Sequence, residues 1–371
     1  MTIGRAVALL LLATAVACGG PRAGRGGGGA CMRLESERVV RGESLCEDVW
    51  TCFRPPNDII DRVGLRRLAP CDNPTGPIVL YLPGMHQNAE FIGSDAGHDL
   101  RLYLAQAGLR TWSLDWRTHA LPADATPEQL AAASRWDAET FLDDAAWAAE
   151  FVRGAEHGPL FVAGFSYGAG AAYGLAARGD QAIAGLVIID GAPSDGSTPP
   201  GEAAMIDVGS SRLPWPQREQ LLRTVLASPA NPSPVPGYRT AGAALGDILF
   251  TSQAFGGNGA LSAARDGVSD IHDVALLLNS YDRWWPRATL GGKAPSPRPV
   301  PVLAFAAGNM GPKWLERVQA GAKAFGGERA SVKEVPLHGH IDLLVGRLSV
   351  TEVFEPIRRW VSSAHAQPKA R

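Results

Sequence analysis

Short apolar runs alternate along the chain with longer stretches whose apolar residues have helical spacing. The runs predict six strands, at 78–82, 111–115, 160–163, 183–189, 300–306 and 331–335. The stretches predict helices over about 96–107, 136–153, 167–178, 312–325 and 342–361. Strands that are apolar throughout and alternate with helices are typical of a parallel sheet buried on both faces. We therefore predict an α/β fold, with a mostly parallel central sheet and helices on both faces.

The alternation is interrupted between the fourth and fifth predicted strands, by residues 191–299. A connection in an α/β fold normally takes only a few residues, so a segment of this length predicts an inserted element. Its apolar stretches at 218–226 and 270–279 predict helices. We expect a helical lid over the carboxyl edge of the sheet, where open α/β sheets bind their ligands.

Residues 1–17 have the pattern of a secretory signal peptide, with Arg5 before an apolar run that ends in small residues. The ending at Ala15–Cys18 resembles the lipobox of bacterial lipoproteins, in which cleavage exposes a cysteine that is then acylated. Residues 18–30 are rich in glycine, as in a flexible tether. We expect an exported protein anchored by a lipid on Cys18; an ordinary signal peptide is the alternative. Gly19, rather than the Asp that signals inner-membrane retention, indicates the outer membrane, facing the periplasm or the exterior.

The segment 31–75 contains the other four cysteines, Cys31, Cys46, Cys52 and Cys71. In an exported chain, four cysteines predict two disulfides with three possible pairings, and free thiols are the alternative. The absence of a C-x-x-C pattern argues against zinc, and we expect no metal or organic cofactor. The segment has few long apolar runs, so we expect short strands, such as an antiparallel hairpin on the larger sheet.

Composition and charge exclude several classes of function. The chain has 371 residues, of which 37 are acidic and 35 basic, so the formal net charge of −2 gives no electrostatic footprint for nucleic acid. The 46% of hydrophobic and 19% of charged residues are typical of a folded chain with a buried core. No internal apolar stretch reaches the roughly 20 residues that cross a bilayer. A membrane reached through the N-terminal lipid is one expected partner; a small or lipid-like substrate is implied only by the resemblance described below, and the oligomeric state stays open.

A candidate nucleophile lies at the end of the third predicted strand. Gly164–Gly168 matches the pattern G-x-S-x-G, with a strand before it and a helix of small residues after it. A sharp turn in this context presents the central residue, Ser166, above the sheet edge at a helix N-terminus, where negative charge is favoured. With this motif the chain resembles an α/β-hydrolase over a core of 76–190 and 300–362. The lid is then inserted after the strand that follows the nucleophile helix.

The resemblance implies a serine, an acid and a histidine in that order, and an oxyanion hole of backbone N–H groups. His340 occupies the family's histidine position after the last strand, and His338 is the rival. Asp342 follows too closely to be its partner and is expected to support the histidine loop. The resemblance gives the oxyanion amides to Tyr167, after the nucleophile, and to Met85, in the loop after the first predicted strand. Each donor is worth roughly 3–4 kcal/mol in such sites.

The acid of the triad departs from the common pattern of the family. Its usual position, after the fifth predicted strand, is occupied by Asn309. Asn can orient an imidazole, but it carries no charge to stabilise an imidazolium. Asp190 ends the fourth predicted strand, from which it could reach His340, so we predict that Asp190 is the acid. Glu316 and Asp195 are lesser candidates, and a cap of the following turn is the alternative role for Asp190.

These residues imply a serine hydrolase that cleaves carboxylic esters through an acyl-enzyme. A peptidase or amidase with the same triad is the first alternative. A binding module that retains the fold without turnover is the second. We expect Asp115, which ends the second predicted strand, to have a structural role. The aromatic cluster 281–286 in the lid forms either an apolar wall for the substrate or the lid's own core.

Overall fold

A computed structural model describes residues 33–41, 44–56, 59–72, 75–89, 96–179, 182–197, 201, 203–209 and 213–366. For 33–41 and 364–366 it describes the backbone alone. The predicted signal peptide, Cys18, the tether and Cys31 lie outside the described residues. Within the described part of the chain, no helix is both long and apolar enough to cross a membrane.

The described strands form a large sheet and a small one. The strands are β1 (Arg33–Arg41), β2 (Leu45–Phe53), β3 (Arg62–Pro70), β4 (Ile78–Leu82), β5 (Arg110–Asp115), β6 (Leu160–Phe165), β7 (Ile183–Ile189), β8 (Met205–Asp207), β9 (Trp284–Pro286), β10 (Val302–Ala307) and β11 (Ala330–Val335). The large sheet has the spatial order β1-β2-β3-β5-β4-β6-β7-β10-β11. From β5 to β11 all neighbours are parallel. β8 and β9 pair antiparallel in a separate sheet.

Helices cover both faces of the parallel strands. They are α1 (Leu100–Gln106), α2 (Pro127–Ala133), α3 (Ala138–Ala155), α4 (Tyr167–Arg178), α5 (Trp215–Ala227), α6 (Ala241–Phe250), α7 (Ile271–Asn279), α8 (Pro312–Gly326), α9 (Asp342–Val345) and α10 (Glu355–Ala366). A short π-helical turn, Val350–Phe354, leads directly into α10.

The alternation of side chains along each strand produces two hydrophobic cores, one on each face of the sheet. On β4, Ile78, Leu80 and Leu82 pack into the core that includes residues of α3, α4 and α8. Val79 and Tyr81 point the other way, into the core that includes residues of α1, α10 and the helices α5–α7. The predicted α/β fold, with a mostly parallel sheet and helices on both faces, is confirmed.

The segment before β4 adds an antiparallel meander to one edge of the parallel strands. β1 pairs with β2, β2 with β3, and β3 with β5, all antiparallel. Cys46, on β2, forms a disulfide with Cys71, just after β3. Cys52 is also disulfide-bonded, and its partner lies outside the described residues. The expected antiparallel addition to the sheet is therefore present. Of the disulfides that the four cysteines could form, the bond between Cys46 and Cys71 is observed.

Residues 191–299, called the insertion below, separate β7 from β10. The predicted helices at 218–226 and 270–279 are present as α5 and α7. Helix α6 and the small sheet of β8 and β9 have no counterpart in the prediction. The first half of α6, Ala-Gly-Ala-Ala, lacks the large apolar residues from which helical spacing is recognised.

The sequence predicts one continuous helix over 342–361, and this prediction is wrong because the segment forms two separate helices. Helix α9 ends at Val345, and the chain turns before α10 begins. Arg347 N donates a hydrogen bond to Val268 O of the insertion, and Ser349 Oγ donates one to Asp342 O. These contacts compete with the helical hydrogen bonds, so the chain is tied to the insertion instead of continuing as one helix.

Candidate active site

Ser166 lies at the sharp turn between β6 and α4. Its backbone angles, φ 54° and ψ −117°, are unfavourable for a residue with a side chain, and such strain is typical of functional sites. A side chain at Gly164 would collide with the backbone of Gly168, and one at Gly168 would collide with Leu82. The two glycines of the motif are thus required by close backbone approach, and together they fix the position of Ser166 above the sheet edge.

His340 lies in the loop after β11, called the histidine loop, and its side chain is only 6% exposed. Nδ1 of the imidazole is 2.5 Å from Oδ2 of Asp190. The ring lies between two aromatic rings, with centroid distances of 4.6 Å to Phe165 and 5.2 Å to Phe255. Its orientation is therefore set both by a carboxylate and by two flanking rings.

Asp190 follows β7 with φ 47°, and its side chain is fully buried. Its Oδ1 accepts hydrogen bonds from Ala307 N and from Trp314 Nε1, both at 2.8 Å, while Oδ2 faces His340. Three donors on one buried carboxylate hold it in a single orientation and compensate its loss of hydration. The structure thus brings Asp190 and His340 together, as the sequence predicts.

The other candidates for the acid lie elsewhere. Asn309 Nδ2 donates to Leu337 O at 2.9 Å, so this side chain braces the histidine loop and does not contact His340. Glu316 is exposed on α8. Asp195 is also exposed and pairs with Arg317 at 3.1 Å.

Asp342 stabilises the histidine loop through hydrogen bonds to its carboxylate. Its buried carboxylate accepts hydrogen bonds from Gly339 N at 2.8 Å and from two hydroxyls of the insertion, Ser262 at 2.7 Å and Ser269 at 2.6 Å. Asp342 therefore occupies the supporting position expected of it. His338 is buried and directs Nδ1 to the carbonyl of Pro336 at 2.8 Å, away from Asp190.

The loop after β4, residues 83–89, contains Met85 and is called the oxyanion loop after the role that the resemblance implies for this residue. Met85 lines a cavity together with Ser166 and Tyr167, the first residue of α4. The loop turns tightly at Gly84, whose N–H donates to Gln87 Oε1 at 3.0 Å. A side chain at Gly84 would press against Phe165, the residue before the nucleophile. The structure thus brings both predicted oxyanion residues to the cavity that Ser166 lines.

Hydrogen bonds to the insertion fix the oxyanion loop. His86 Nδ1 donates to Asp282 O at 2.9 Å, and Asp282 N donates to His86 O at 2.7 Å. Burial lowers the pKa of His86 to about 4, so the ring is neutral at pH 7. Asp115 accepts a hydrogen bond of 2.5 Å from Ala89 N, at the end of the loop, and forms an ion pair with Arg66 at 3.1 Å. These contacts agree with the structural role expected of Asp115.

Two cavities among the described residues meet at Ser166 and Met85. The leucine-lined cavity, of about 320 Å³, is also lined by His340, and most of its wall belongs to the insertion, including seven leucines. The charged cavity, of about 420 Å³, runs along α4 past Trp314 and has Lys293 and Arg317 at its wall. A molecule with two arms joined at an ester could therefore present the joint to Ser166, with one arm in each cavity.

The aromatic cluster 281–286 divides between the two predicted roles. Tyr281 lines the leucine-lined cavity. Trp285 is fully buried and packs against Tyr167 at a centroid distance of 5.0 Å and against Phe141 at 5.2 Å. One member of the cluster thus faces a cavity, while another is part of the protein core under the oxyanion residue Tyr167.

Two features of the site were not found from the sequence. Trp314 donates to Asp190 from α8, and Phe255 of the insertion packs on His340. Neither belongs to a motif, since both contacts depend on how distant elements pack.

Ser166 Oγ makes no hydrogen bond to the described residues. Hydrogen bonds between a nucleophile and its base are often longer in a free enzyme than in the complex with substrate.

No cluster of three or more His, Cys, Asp or Glu side chains suited to a metal ion occurs among the described residues. The geometry brings a buried carboxylate–imidazole pair and a strained serine to one cavity, at the carboxyl edge of a parallel sheet. A strained serine at a strand-to-helix turn is typical of the α/β-hydrolase class of fold.

Comparison with known proteins agrees with this class. A family model described as "Alpha/beta hydrolase family" matches residues 79–347, well over half of the 371-residue chain. The chain therefore belongs to the alpha/beta hydrolase family. Among curated proteins, no sequence relative matches the chain.

Comparison with solved structures gives one likeness with a TM-score above 0.5 among the three that follow. A Sulfolobus solfataricus protein provisionally described as a lipase is 22% identical, with a TM-score of 0.71, over 89% of this chain and 99% of its own. A thermophilic esterase from Thermogutta terrifontis is 17% identical, with a TM-score of 0.48, over 82% and 96% of the two chains. A monoglyceride lipase from Saccharomyces cerevisiae is 13% identical, with a TM-score of 0.48, over 82% and 93%. The likeness to the Sulfolobus protein, at 22% identity, supports the fold and nothing more.

Proposed function

We propose that this chain is a serine hydrolase that cleaves carboxylic esters through an acyl-enzyme. Ser166 is the nucleophile, His340 the general base and acid, and Asp190 the acid of the triad. The observation that carries the proposal is the hydrogen bond of 2.5 Å between His340 Nδ1 and the buried Asp190 carboxylate, because His340 lines the same cavity as Ser166. A carboxylate in this position fixes the tautomer in which Nε2 is free to accept a proton.

The proposed reaction has two halves. Ser166 Oγ attacks the ester carbonyl carbon while His340 Nε2 takes the hydroxyl proton, and the N–H groups of Tyr167 and Met85 bind the oxyanion. The intermediate collapses, the bond to the alcohol oxygen breaks, and His340 returns the proton to the leaving alcohol. Water then attacks the acyl-enzyme with His340 as base again. The carboxylic acid leaves, and Ser166 recovers its proton.

Asp190 stabilises the imidazolium that forms in each half and stays ionised throughout. Its three hydrogen bonds and full burial keep the negative charge within a dry environment, where it acts more strongly on the imidazolium than it would in water. The N-terminus of α4, immediately after Ser166, adds a favourable dipole for the oxyanion.

Labelling with a fluorophosphonate probe tests whether Ser166 is an active nucleophile. We expect stoichiometric labelling of the folded chain, and none of Ser166→Ala. Ser194→Ala is a matched control, since Ser194 lines the charged cavity but donates to Gly292 O, and we expect it to be labelled normally. A folded wild-type chain that resists the probe would instead favour the binding module.

Chromogenic esters of rising acyl length, assayed beside aminoacyl anilides, test the class of bond. The leucine-lined cavity supports apolar substrates, so we expect turnover of esters with chains longer than acetyl. Faster turnover of anilides than of esters would replace the esterase with a peptidase or amidase. Faster turnover of acetyl than of all longer esters would contradict a role for that cavity in binding substrate.

We also propose that the chain is exported and anchored by a lipid on Cys18. The disulfide between Cys46 and Cys71 supports export, because such bonds persist in oxidising compartments. Acyl chains contribute about 0.8 kcal/mol per buried CH₂, so more than one chain on the cysteine gives a stable anchor. We expect Cys18→Ser to release the protein from the membrane fraction or to block its processing. Membrane retention of this variant with a normally cleaved N-terminus would refute the anchor.

A further inference from the structure

Among the described residues that line the leucine-lined cavity, one is a buried arginine, Arg218, in the first turn of α5. The side chains that make up most of the wall are aliphatic, among them Leu213, Leu221, Leu245 and Leu249. Arg218 lines the same cavity and is only 7% exposed. A charged side chain this buried normally has a partner of opposite charge, because loss of hydration is costly.

Arg218 has no carboxylate partner among the described residues. Its guanidinium donates to the backbone carbonyl of Leu278, on α7, and lies 5.3 Å from the ring centre of Trp215. Burial lowers its pKa to about 10, so it remains charged at pH 7. A carbonyl and an aromatic ring stabilise a cation only in part, and they leave the charge uncompensated.

The acidic groups nearest to Arg218 are committed elsewhere. Asp207 lines the same cavity, but it forms an ion pair with Arg283 at 2.9 Å. Glu219, the next residue on α5, is exposed to solvent, where its field is screened. Tyr281, also in the cavity wall, is a neutral phenol because burial raises its pKa to about 12. The two arginines and Asp207 together leave one net positive charge at this end of the cavity.

We propose that Arg218 is a specificity residue that binds a carboxylate on the substrate arm occupying the leucine-lined cavity. The inference rests on the proposed function and names its substrate class: esters in which an aliphatic chain carries a carboxylate remote from the scissile bond. The leucines bury the chain, and the guanidinium fork offers two parallel N–H groups to the two carboxylate oxygens. A neutral chain of the same length leaves the cation unpaired.

Monomethyl esters of dicarboxylic acids, from succinate to sebacate, test this proposal against the methyl esters of the matching monocarboxylic acids. We expect kcat/KM to be at least about tenfold higher for the carboxylate-bearing ester at one chain length, at which the carboxylate reaches Arg218. A second series, the acetates of ω-hydroxy acids against the matching alkyl acetates, places the carboxylate on the alcohol arm instead. Equal kcat/KM for charged and neutral esters in both series would overturn the proposal.

Arg218→Met keeps the aliphatic stem and removes the charge. We expect this variant to lose the preference, so that the ratio of kcat/KM for the charged ester to that for the neutral ester falls to about one, and Arg218→Lys to restore part of the preference. If Arg218 serves only to join α5 to α7, activity on both esters falls by the same factor, and the proposal is wrong. If the variants do not fold, the ratio of kcat/KM for charged and neutral esters in the wild type decides whether the proposal stands.

The outcome is separable from that of the proposed function. Binding of monomethyl suberate to Ser166→Ala, measured by calorimetry against methyl octanoate, requires no turnover. Tighter binding of the charged ester supports the Arg218 site even if the chain proves to be no hydrolase. Equal binding, with ester turnover intact in wild type, refutes the site and leaves the hydrolase standing.

Discussion

At the scale of single residues, Asp190 accepts hydrogen bonds from three separate parts of the chain. The donors are the backbone of Ala307 at the end of β10, the indole of Trp314 on α8, and the imidazole of His340. Two of them hold Oδ1, so Oδ2 is directed at His340 and has no freedom to turn away. A carboxylate fixed in this manner can orient the imidazole before substrate arrives.

We expect Asp190→Asn to lower kcat about 10⁴-fold with the fold intact, by analogy with the same change in other triads. The amide oxygen can still accept from Trp314 and Ala307, which turns the NH₂ group toward His340. Nδ1 must then accept, so the proton moves to Nε2, where the ring can no longer take a proton from Ser166. Steady-state kinetics and circular dichroism measure the effect. Asp195→Asn is the control, and near-normal activity of Asp190→Asn would refute the assignment.

Trp314→Phe removes one donor to Asp190 and keeps most of the ring volume in the cavity wall. A hydrogen bond to a charged group contributes about 1.5–3 kcal/mol, so we expect kcat to fall by about 10- to 100-fold with little change in KM. The lost donor frees Oδ1, and the carboxylate becomes less well oriented toward His340. A rise in KM at unchanged kcat would show instead that Trp314 acts only as part of the cavity wall.

At the scale of elements, two loops carry residues of the proposed catalytic site, and both loops form hydrogen bonds to the insertion. The histidine loop is bound through Asp342 to Ser262 and Ser269, and the oxyanion loop is bound through His86 to Asp282. The insertion is therefore part of what positions the site, as well as a wall of the leucine-lined cavity. Changes at these contacts should affect the geometry of the site and the stability of the chain together.

The neutral, buried His86 makes stability depend on pH. Its pKa is about 4 in the folded chain and about 6.5 when unfolded, so below pH 6.5 the unfolded chain binds a proton that the folded chain does not. The free energy of unfolding therefore falls as pH drops from 6.5 toward 4, by about 3 kcal/mol from this group. We expect His86→Asn, which tolerates the φ of 65° and can donate to Asp282 O, to lose this component.

Urea unfolding of wild type and His86→Asn, at pH 7 and pH 4.5, measures the difference. The carboxylates titrate in both proteins, so subtracting one pH dependence from the other isolates His86. We expect the wild type to lose about 2–3 kcal/mol more than the variant on acidification. Equal losses would show that His86 is protonated in the folded chain.

How far the sequence predicts this structure depends on the range of the contacts involved. Ser166 and its flanking glycines were predictable because the turn imposes local steric requirements. Asp190 was predictable because parallel strands end at one sheet edge, so the residue after β7 lies near the one after β11. Trp314 and Phe255 were not, because their contacts depend on the packing of α8 and the insertion. The break before α10 was missed for the same reason, whereas α6 was missed because its first half lacks the large apolar residues that reveal helical spacing.

At the scale of the whole molecule, the disulfide joins β2 to the end of β3 in the antiparallel meander. Its 25-residue loop corresponds to about 3–4 kcal/mol of stabilisation in the chain-entropy model. The bond lies near Pro70, at one end of β3. At the other end, Gly64 pairs with Asp115, the residue that binds the oxyanion loop through Ala89 N. The disulfide and the site therefore lie at opposite ends of this strand.

We therefore expect the double variant Cys46→Ala/Cys71→Ala to lose about 2–4 kcal/mol of unfolding free energy while kcat stays within about twofold of wild type. Thermal unfolding and ester turnover below the transition give the two values. Unchanged stability would mean that the bond between Cys46 and Cys71 adds nothing to what already holds the meander. A large loss of kcat in folded protein would show that this edge of the sheet is coupled to the site.

The two cavities that meet at Ser166 also bear on what happens between the two halves of the reaction. After the first product departs, the acyl group would still occupy one cavity while the other stands open. Any hydroxyl compound that fits the vacated space would then compete with water for the acyl group. Turnover in the presence of a small alcohol would partition between hydrolysis and transesterification. The partition ratio would report the shape of the vacated cavity rather than the reactivity of the serine.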